Sequence, residues 1–192
     1  ARLGKVRLDD VALDQVTLSV SGTGRAHRGD LGAAGKDLAM TARLAGGFNP
    51  DLAWRGQLEQ FRLDRPRQFR LESPASLAMS RSGFELGRAR LSAGRAQFDI
   101  DGFLLTATEL RTAGRFSGLP VAMLGLPPDS ELRSDQSLGG DWQITATDRF
   151  NGHLKLWHES GGWTLDGPEK VTLAPTRGRL EARVKDNHLV LQ

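Results

Sequence analysis

The 192-residue chain contains no cysteine and no tyrosine, and its longest apolar run, Leu119 to Leu126, is interrupted by proline and glycine. The lack of cysteine excludes a disulfide scaffold, a thiolate metal site and a cysteine nucleophile. No apolar segment approaches the roughly 20 residues that a membrane-spanning helix requires. There is no signal peptide pattern, and the first residue is Ala1 rather than methionine. These features predict a processed chain or an internal segment of something longer.

Charge of one sign is also scarce, because 26 basic residues are balanced by 23 acidic ones to a net charge of +3. The two signs are interleaved along the chain, whereas a nucleic-acid reader usually gathers its basic residues on one face. We therefore expect no nucleic-acid partner. The densest basic run, residues 62–70, could meet phosphates, but a solvated strand edge and turn is the favoured interpretation.

Strict alternation of polar and apolar residues is the dominant pattern that is present. Residues 95–101 place polar side chains at odd positions and apolar ones, such as Phe98 and Ile100, at even positions. A period of two is typical of strands with one buried and one solvated face, which favours an antiparallel sheet. The same alternation occurs in four other segments: 15–21, 37–44, 141–147 and 179–185.

Turn-forming residues recur about every ten positions and predict roughly a dozen strands joined as a meander. They include Gly46-Gly47, Arg81-Ser82-Gly83, Asp101-Gly102, Asn151-Gly152, Gly161-Gly162 and Asp186-Asn187. One segment departs from alternation: Pro120, several helix formers and a following glycine predict one short helix near residues 119–124. No linker divides the chain, so residues 1–192 are predicted to form a single β-rich domain.

Residues able to carry out catalysis are scattered. His153 and His158 are an odd number of residues apart, so a regular strand would place them on opposite faces. Asp99 and Asp101 share a strand face, but their setting indicates a solvated surface rather than a cleft that perturbs a carboxyl pKa. We therefore predict no enzyme activity, no catalytic residue, no metal site and no cofactor.

Between Ala53 and Gly152, a series of short motifs resembles the TamB family of the AsmA-like superfamily of envelope proteins. The motifs are Trp54-Arg55-Gly56-Gln57-Leu58, Phe69-Arg70-Leu71-Glu72-Ser73-Pro74-Ala75-Ser76-Leu77, Phe116-Ser117-Gly118-Leu119-Pro120-Val121, Gly139-Gly140-Asp141-Trp142 and Asn151-Gly152-His153-Leu154. Relatives often carry cysteines after the second motif, and this chain has none. Each motif is short, and it is their order that makes the resemblance specific.

The resemblance implies a curled, mostly antiparallel meander sheet that forms an open trough, described as β-taco-like, with an apolar concave face. It further implies phospholipid transport and outer-membrane biogenesis in the Gram-negative periplasm. The full-length protein would be anchored in the inner membrane and work with an outer-membrane β-barrel partner of the TamA type. This chain is then expected to be an interior or C-terminal-side segment of that groove, with phospholipid acyl chains as its ligand.

Side-chain parity predicts which residues share the apolar surface, because successive strand residues point to opposite faces. Either an open trough for lipid or the dry core of a closed β-sandwich, a scaffold or protein-interaction module without a lipid ligand, would use the same residues. The predicted set is Leu38, Met40, Trp54, Phe69, Leu71, Phe84, Leu86, Phe98, Ile100, Phe103, Leu105, Trp142, Ile144, Leu154, Leu156, Trp163 and Leu165.

Overall fold

A computed structural model describes residues 2–8, 11–36, 38–65, 68–124, 132–165, 171–173 and 178–191. Strands dominate these residues, as their alternation predicts. The strands are β1 Arg2–Leu8, β2 Val11–Gly22, β3 His27–Gly35, β4 Ala39–Phe48, β5 Trp54–Arg65, β6 Phe69–Leu71, β7 Ala75–Ser80, β8 Gly83–Leu86, β9 Ala89–Ala93, β10 Ala96–Thr106, β11 Leu110–Pro120, β12 Leu132–Ser134, β13 Ser137–Ala146, β14 Phe150–Ser160, β15 Trp163–Leu165, β16 Val171–Leu173, β17 Arg179–Lys185 and β18 His188–Leu191.

Fifteen of these strands form one antiparallel sheet, and the order of strands across the sheet largely follows their order along the chain. Near the middle, β6 and β7 act as two halves of one bent strand, since β5 pairs with both. In the same way, β8 and β9 both pair with β10. The prediction of an all-β, antiparallel meander is therefore confirmed. A separate small sheet contains β12, β15 and β16.

The predicted short helix is a single 3-10 turn at Val121–Leu124. The first two predicted residues belong to β11 instead, because Leu119 and Pro120 pair with Leu138 and Ser137 of β13. Gly118, at a φ of 62°, provides the left-handed residue at the irregularity that precedes this pairing. Within the described residues, no helix has the length and apolar character needed to cross a membrane.

Three glycine-containing pairs predicted to be turns lie inside strands. Gly46-Gly47 lies within β4, Asp101-Gly102 within β10 and Asn151-Gly152 within β14. Arg81-Ser82, Gly161-Gly162 and Asp186-Asn187 do connect strands, as predicted. At these three positions the pairing with neighbouring strands therefore overrides the local preference for a turn.

Two β-bulges keep the apolar residues on one face along two long central strands, β5 and β10. In β10, Ile100 lies opposite Gly114 and Phe103 lies opposite Thr112, so the unpaired Asp101 is the extra residue. Without this bulge, the three-residue step from Ile100 to Phe103 would place their side chains on opposite faces. Glu59 has the same role in β5.

The close backbone contacts between elements of the described chain are mainly those of paired strands, together with the contact of the 3-10 turn with β11. Full burial is correspondingly rare. The buried cluster consists of Leu71, Ala75 and Ala89, against which larger residues such as Phe61 and Ile100 pack while partly exposed. This cluster lies where β6 meets β7 and β8 meets β9.

Candidate functional site: the apolar face of the sheet

Cross-strand pairing places most of the predicted surface residues on one face of the large sheet, which we call the apolar face. One row runs from Leu71 through Leu91, Phe98 and Phe116 to Gly140, with each residue directly opposite the next. Directly opposed residues share a face of the sheet. By this criterion the apolar face carries Met40, Trp54, Phe69, Leu71, Phe84, Leu86, Phe98, Ile100, Phe103, Leu105, Trp142, Ile144, Leu154 and Leu156.

Strand pairing does not place three of the predicted residues on this face. Leu38 precedes β4 and accepts a backbone hydrogen bond from Gly35 at 2.7 Å. Trp163 and Leu165 belong to β15, which pairs with β12 and β16 in the small sheet. Their alternation matched the pattern of the other strands, but pairing partners distant in sequence decide which sheet a strand joins.

Aromatic rings on the apolar face lie directly against glycines of adjacent strands. A Cβ atom added at Gly114 would lie 2.6 Å from Cη2 of Trp142, and one added at Gly140 would lie 2.4 Å from Cζ of Phe116. Trp54 covers Gly46 in the same way, at 2.6 Å from its Cζ2 atom. Glycine is therefore required at these strand positions, because any side chain would displace a ring.

The rings also form a connected row across the sheet. Centroid distances are 5.9 Å for Phe69 and Phe98, 6.0 Å for Phe98 and Phe116, and 6.3 Å for Phe116 and Trp142. These separations lie in the range of favourable aromatic contacts. The Trp142 Nε1 group donates a hydrogen bond to Thr112 Oγ1 at 3.2 Å, which satisfies its one polar atom. The row therefore offers an almost entirely apolar surface.

Large aliphatic side chains remain open to solvent on both sides of this row. Leu105 is 44% exposed, Leu154 is 39% exposed and Leu180 is 46% exposed. Register places Leu105 opposite Phe84, Leu154 opposite Trp142, and Leu180 opposite Leu156, so all three lie on the apolar face. Monomeric proteins rarely leave extended apolar patches uncovered, and such patches usually mark a binding surface.

An apolar cavity of about 770 Å³ lies at the β2–β5 end of this face. It is lined by Leu18, Val20, Gly22, Thr23, Gly24, His27, Gly29, Leu44, Phe48, Leu52, Trp54, Met79, Ser80 and Arg81. Its one imidazole is hydrogen-bonded on both sides: Trp54 Nε1 donates to His27 Nε2 at 2.9 Å, and His27 Nδ1 lies 3.0 Å from the Thr23 carbonyl oxygen. This arrangement fits a neutral ring with its proton on Nδ1.

The opposite face, which we call the charged face, carries a row of alternating charges across six strands. Register places in succession Arg90, Asp99, Arg115, Asp141 and Lys155, followed by Glu181 at the end of the row. Opposite charges directly across a strand pair stabilise a sheet, by about 0.2–1 kcal/mol each. The charged face is therefore built to remain in water.

The Asp99 carboxylate accepts a hydrogen bond from Arg90 Nε at 2.6 Å and lies 3.5 Å from Arg115 Nε. The hydrogen bond from Arg90 is the larger cause that holds the pKa of Asp99 below its usual range, and Arg115 adds to it. A general acid needs a raised pKa, so Asp99 is unsuited to that role. The pKa of Glu72 is lowered mainly by a hydrogen bond from Ser92.

His153, His158 and the described part of the basic run take part in pairing and side-chain contacts within the protein. His153 lies on the charged face, with Nε2 at 2.9 Å from Asp141 Oδ1, whereas His158 pairs with Leu138 on the apolar face. The expectation that these two histidines lie on opposite faces is thus confirmed. In the basic run, Arg62 pairs with Asp64 at 2.6 Å. Among the described residues, no group of three or more His, Asp or Glu is placed to hold a metal ion.

The chain is thus an all-β protein whose large meandering sheet has one apolar, partly exposed face and one charged face. The family model described as TamB, N-terminal domain, matches residues 1–192, and the chain therefore belongs to the TamB family. The match is to an N-terminal domain and lends no support to the expected interior or C-terminal-side position. No curated protein and no solved structure matches the chain.

Membership of this family indicates a role in the translocation and assembly module. It also implies that the full-length protein associates with a TamA-type partner and spans the periplasm from an anchor in the inner membrane.

Proposed function

We propose that the apolar face binds phospholipid acyl chains and forms part of a hydrophobic groove for lipid transport through the periplasm in outer-membrane biogenesis. The chain would act by binding alone, without enzymatic chemistry and without a cofactor. The observation that carries the proposal is the connected row of aromatic rings flanked by exposed leucines on one face of the sheet.

The energetics favour such a ligand. Each methylene moved from water onto an apolar surface gains about 0.8 kcal/mol, so an acyl chain of roughly 16 methylenes gains on the order of 10 kcal/mol before ordering costs. No polar recognition is needed for this gain. A curled, trough-like sheet would increase it by surrounding the chain, and this curvature is part of the proposal.

The competing function is a closed scaffold, in which a second layer covers the apolar face and leaves no room for lipid. A closed sandwich keeps its large core side chains dry. By contrast, Leu105 of β10 is 44% exposed and Leu154 of β14 is 39% exposed. The exposure of these two leucines supports the lipid-binding proposal over the scaffold.

Photo-crosslinking in the full-length protein tests the proposal. A photoreactive amino acid at position 105 is expected to crosslink phospholipid, because Leu105 is an exposed residue of the apolar face. The same amino acid at position 143 is the matched control, since Gln143 is exposed on the charged face of β13. Equal lipid crosslinking at both positions, or none at position 105, would contradict the proposal.

A charge on the apolar face supplies the second measurement. Leu154→Asp is expected to reduce lipid crosslinking at position 105 strongly while the sheet stays folded, because a side chain 39% exposed can keep its carboxylate in water. Ile100→Asp would be less informative, since Ile100 packs against the buried cluster and a charge there would unfold the sheet in any case. Gln143→Asp is the control for the added charge. Undiminished crosslinking in folded Leu154→Asp would count against the acyl-chain surface.

A further inference from the structure

Three arginines that have no acidic partner among the described residues line one pocket on the charged face, at the same end of the sheet as the apolar cavity. Arg25, Arg28 and Arg55 line this pocket of about 540 Å³, and no acidic residue lines it. Several arginines elsewhere on this face are paired with an acid, as in Arg43 with Asp30 at 2.7 Å. Other described pairs are Arg62 with Asp64, Arg70 with Glu72, Arg90 with Asp99, Arg111 with Glu109, Arg149 with Asp186 and Arg183 with Glu181.

The β2–β3 turn holds this arrangement in place. Thr23 and Ala26 bond to each other across the turn, and the Phe48 amide donates to the Gly24 carbonyl oxygen at 2.8 Å. The turn thereby docks against the end of β4, where a Cβ atom added at Gly47 would lie 1.9 Å from the Arg25 carbonyl oxygen. Gly47 in turn lies opposite Arg55 in the β4–β5 pair, which places Arg25 and Arg55 together.

The basic pocket and the apolar cavity are neighbours across this turn. Both are lined by Gly22 and His27. Gly22 is the last residue of β2, His27 is the first residue of β3, and the two lie opposite each other. A molecule with an apolar chain and an anionic end could therefore place the chain in the cavity and the anionic end over the turn. Guanidinium groups bind phosphate by paired, charge-assisted hydrogen bonds.

We infer that Arg25, Arg28 and Arg55 form a site for the phosphate-bearing headgroup of an anionic phospholipid whose acyl chain occupies the adjacent apolar cavity. The inference rests on the proposed acyl-chain function and adds headgroup recognition to it. Three uncompensated positive charges around one pocket select a phosphate with net negative charge over an uncharged headgroup.

Calorimetric binding of three probes to the 192-residue chain, each amphiphile below its micelle concentration, tests the inference. Dodecyl phosphate carries both parts, dodecyl maltoside carries the chain with an uncharged headgroup, and inorganic phosphate carries the anion alone. We expect dodecyl phosphate to bind at least tenfold more tightly than either of the other probes. In the variant Arg25→Gln, Arg28→Gln, Arg55→Gln this preference over dodecyl maltoside should disappear.

A control triple variant removes the same charge at exposed positions outside the pocket: Arg88→Gln, Arg95→Gln and Lys185→Gln. It should keep the preference. Equal binding of both amphiphiles by the wild type would overturn the headgroup site and leave the acyl-chain surface standing, whereas binding of neither would overturn both. Inorganic phosphate that binds as tightly as dodecyl phosphate would assign the pocket to free phosphate instead. An unchanged preference in the pocket variant would also overturn the inference.

Discussion

Replacement of Gly114 by alanine tests whether the close packing of rings on glycines stabilises the sheet. The added Cβ atom would lie 2.6 Å from Cη2 and Cζ2 of Trp142 and 2.5 Å from the Asp99 carbonyl oxygen. Both distances are far inside van der Waals contact, and one neighbour is backbone that cannot rotate away. The Trp142 ring must therefore lift off the sheet or β11 must shift from β10.

The cost can be worked from these contacts. Overpacking of this kind destabilises a fold by about 1–3 kcal/mol. Displacement of the ring also breaks the hydrogen bond from Trp142 to Thr112, which has a net value of about 1 kcal/mol. We expect a loss of about 2–4 kcal/mol in the free energy of unfolding, a large fraction of the roughly 5–15 kcal/mol typical of native proteins.

Urea denaturation followed by circular dichroism measures this loss directly, since stability falls linearly with denaturant. The matched control is Gly102→Ala in the adjacent strand, where the added Cβ atom would approach nothing closer than the Leu86 carbonyl oxygen at 3.9 Å. The control should change the stability by less than about 1 kcal/mol. If Gly114→Ala is no more destabilising than Gly102→Ala, the packing argument is wrong.

Two further predictions concern the charged face and the bulge in β10. Because the pKa of Asp99 is lowered in the folded state, its ion pair with Arg90 should add stability above about pH 4, lost as the pH falls through the lowered value. Asp99→Asn should therefore flatten the decline in melting temperature between about pH 5 and pH 2, and an unchanged decline would contradict this. Deletion of Asp101, the extra residue, should leave Ile100 and Phe103 two residues apart in a regular strand, so that Phe103 and Leu105 stay on the apolar face and urea unfolding stays cooperative. Loss of cooperative unfolding in this deletion variant would contradict the bulge assignment.

Alternation was sufficient to predict the sheet and most of its apolar face. Residues such as Phe98, Ile100 and Leu154 share one face of the sheet, as their alternation indicates, because parity within a strand is a local property. The step from Ile100 to Phe103 breaks parity, and the bulge at Asp101 restores it only through pairing with β11. A bulge of this kind depends on the partner strand and cannot be identified from local alternation alone.

The glycines were the least predictable feature. Gly46-Gly47 has the composition of a turn, yet Gly46 makes room for the Trp54 ring and Gly47 for the backbone of Arg25. Both contacts join residues distant in sequence. A useful indicator was nevertheless present, since Gly46, Gly56, Gly114 and Gly140 each lie in a strand next to one that carries an aromatic residue. The basic pocket could not be predicted from the sequence, because Arg25, Arg28 and Arg55 come together only when β2 to β5 pair.

The meander has a consequence for how such a sheet can change in size. The order of strands across the large sheet largely follows their order along the chain, so its cooperativity is close to one-dimensional, as in repeat proteins. Insertion or loss of a two-strand hairpin would preserve both the antiparallel order and the side on which the leucines and rings emerge. Gain or loss of one strand alone would reverse the direction of every strand after it. The hairpin is therefore the natural increment of length for a protein of this architecture, and its apolar face can be extended without redesigning the strands already present.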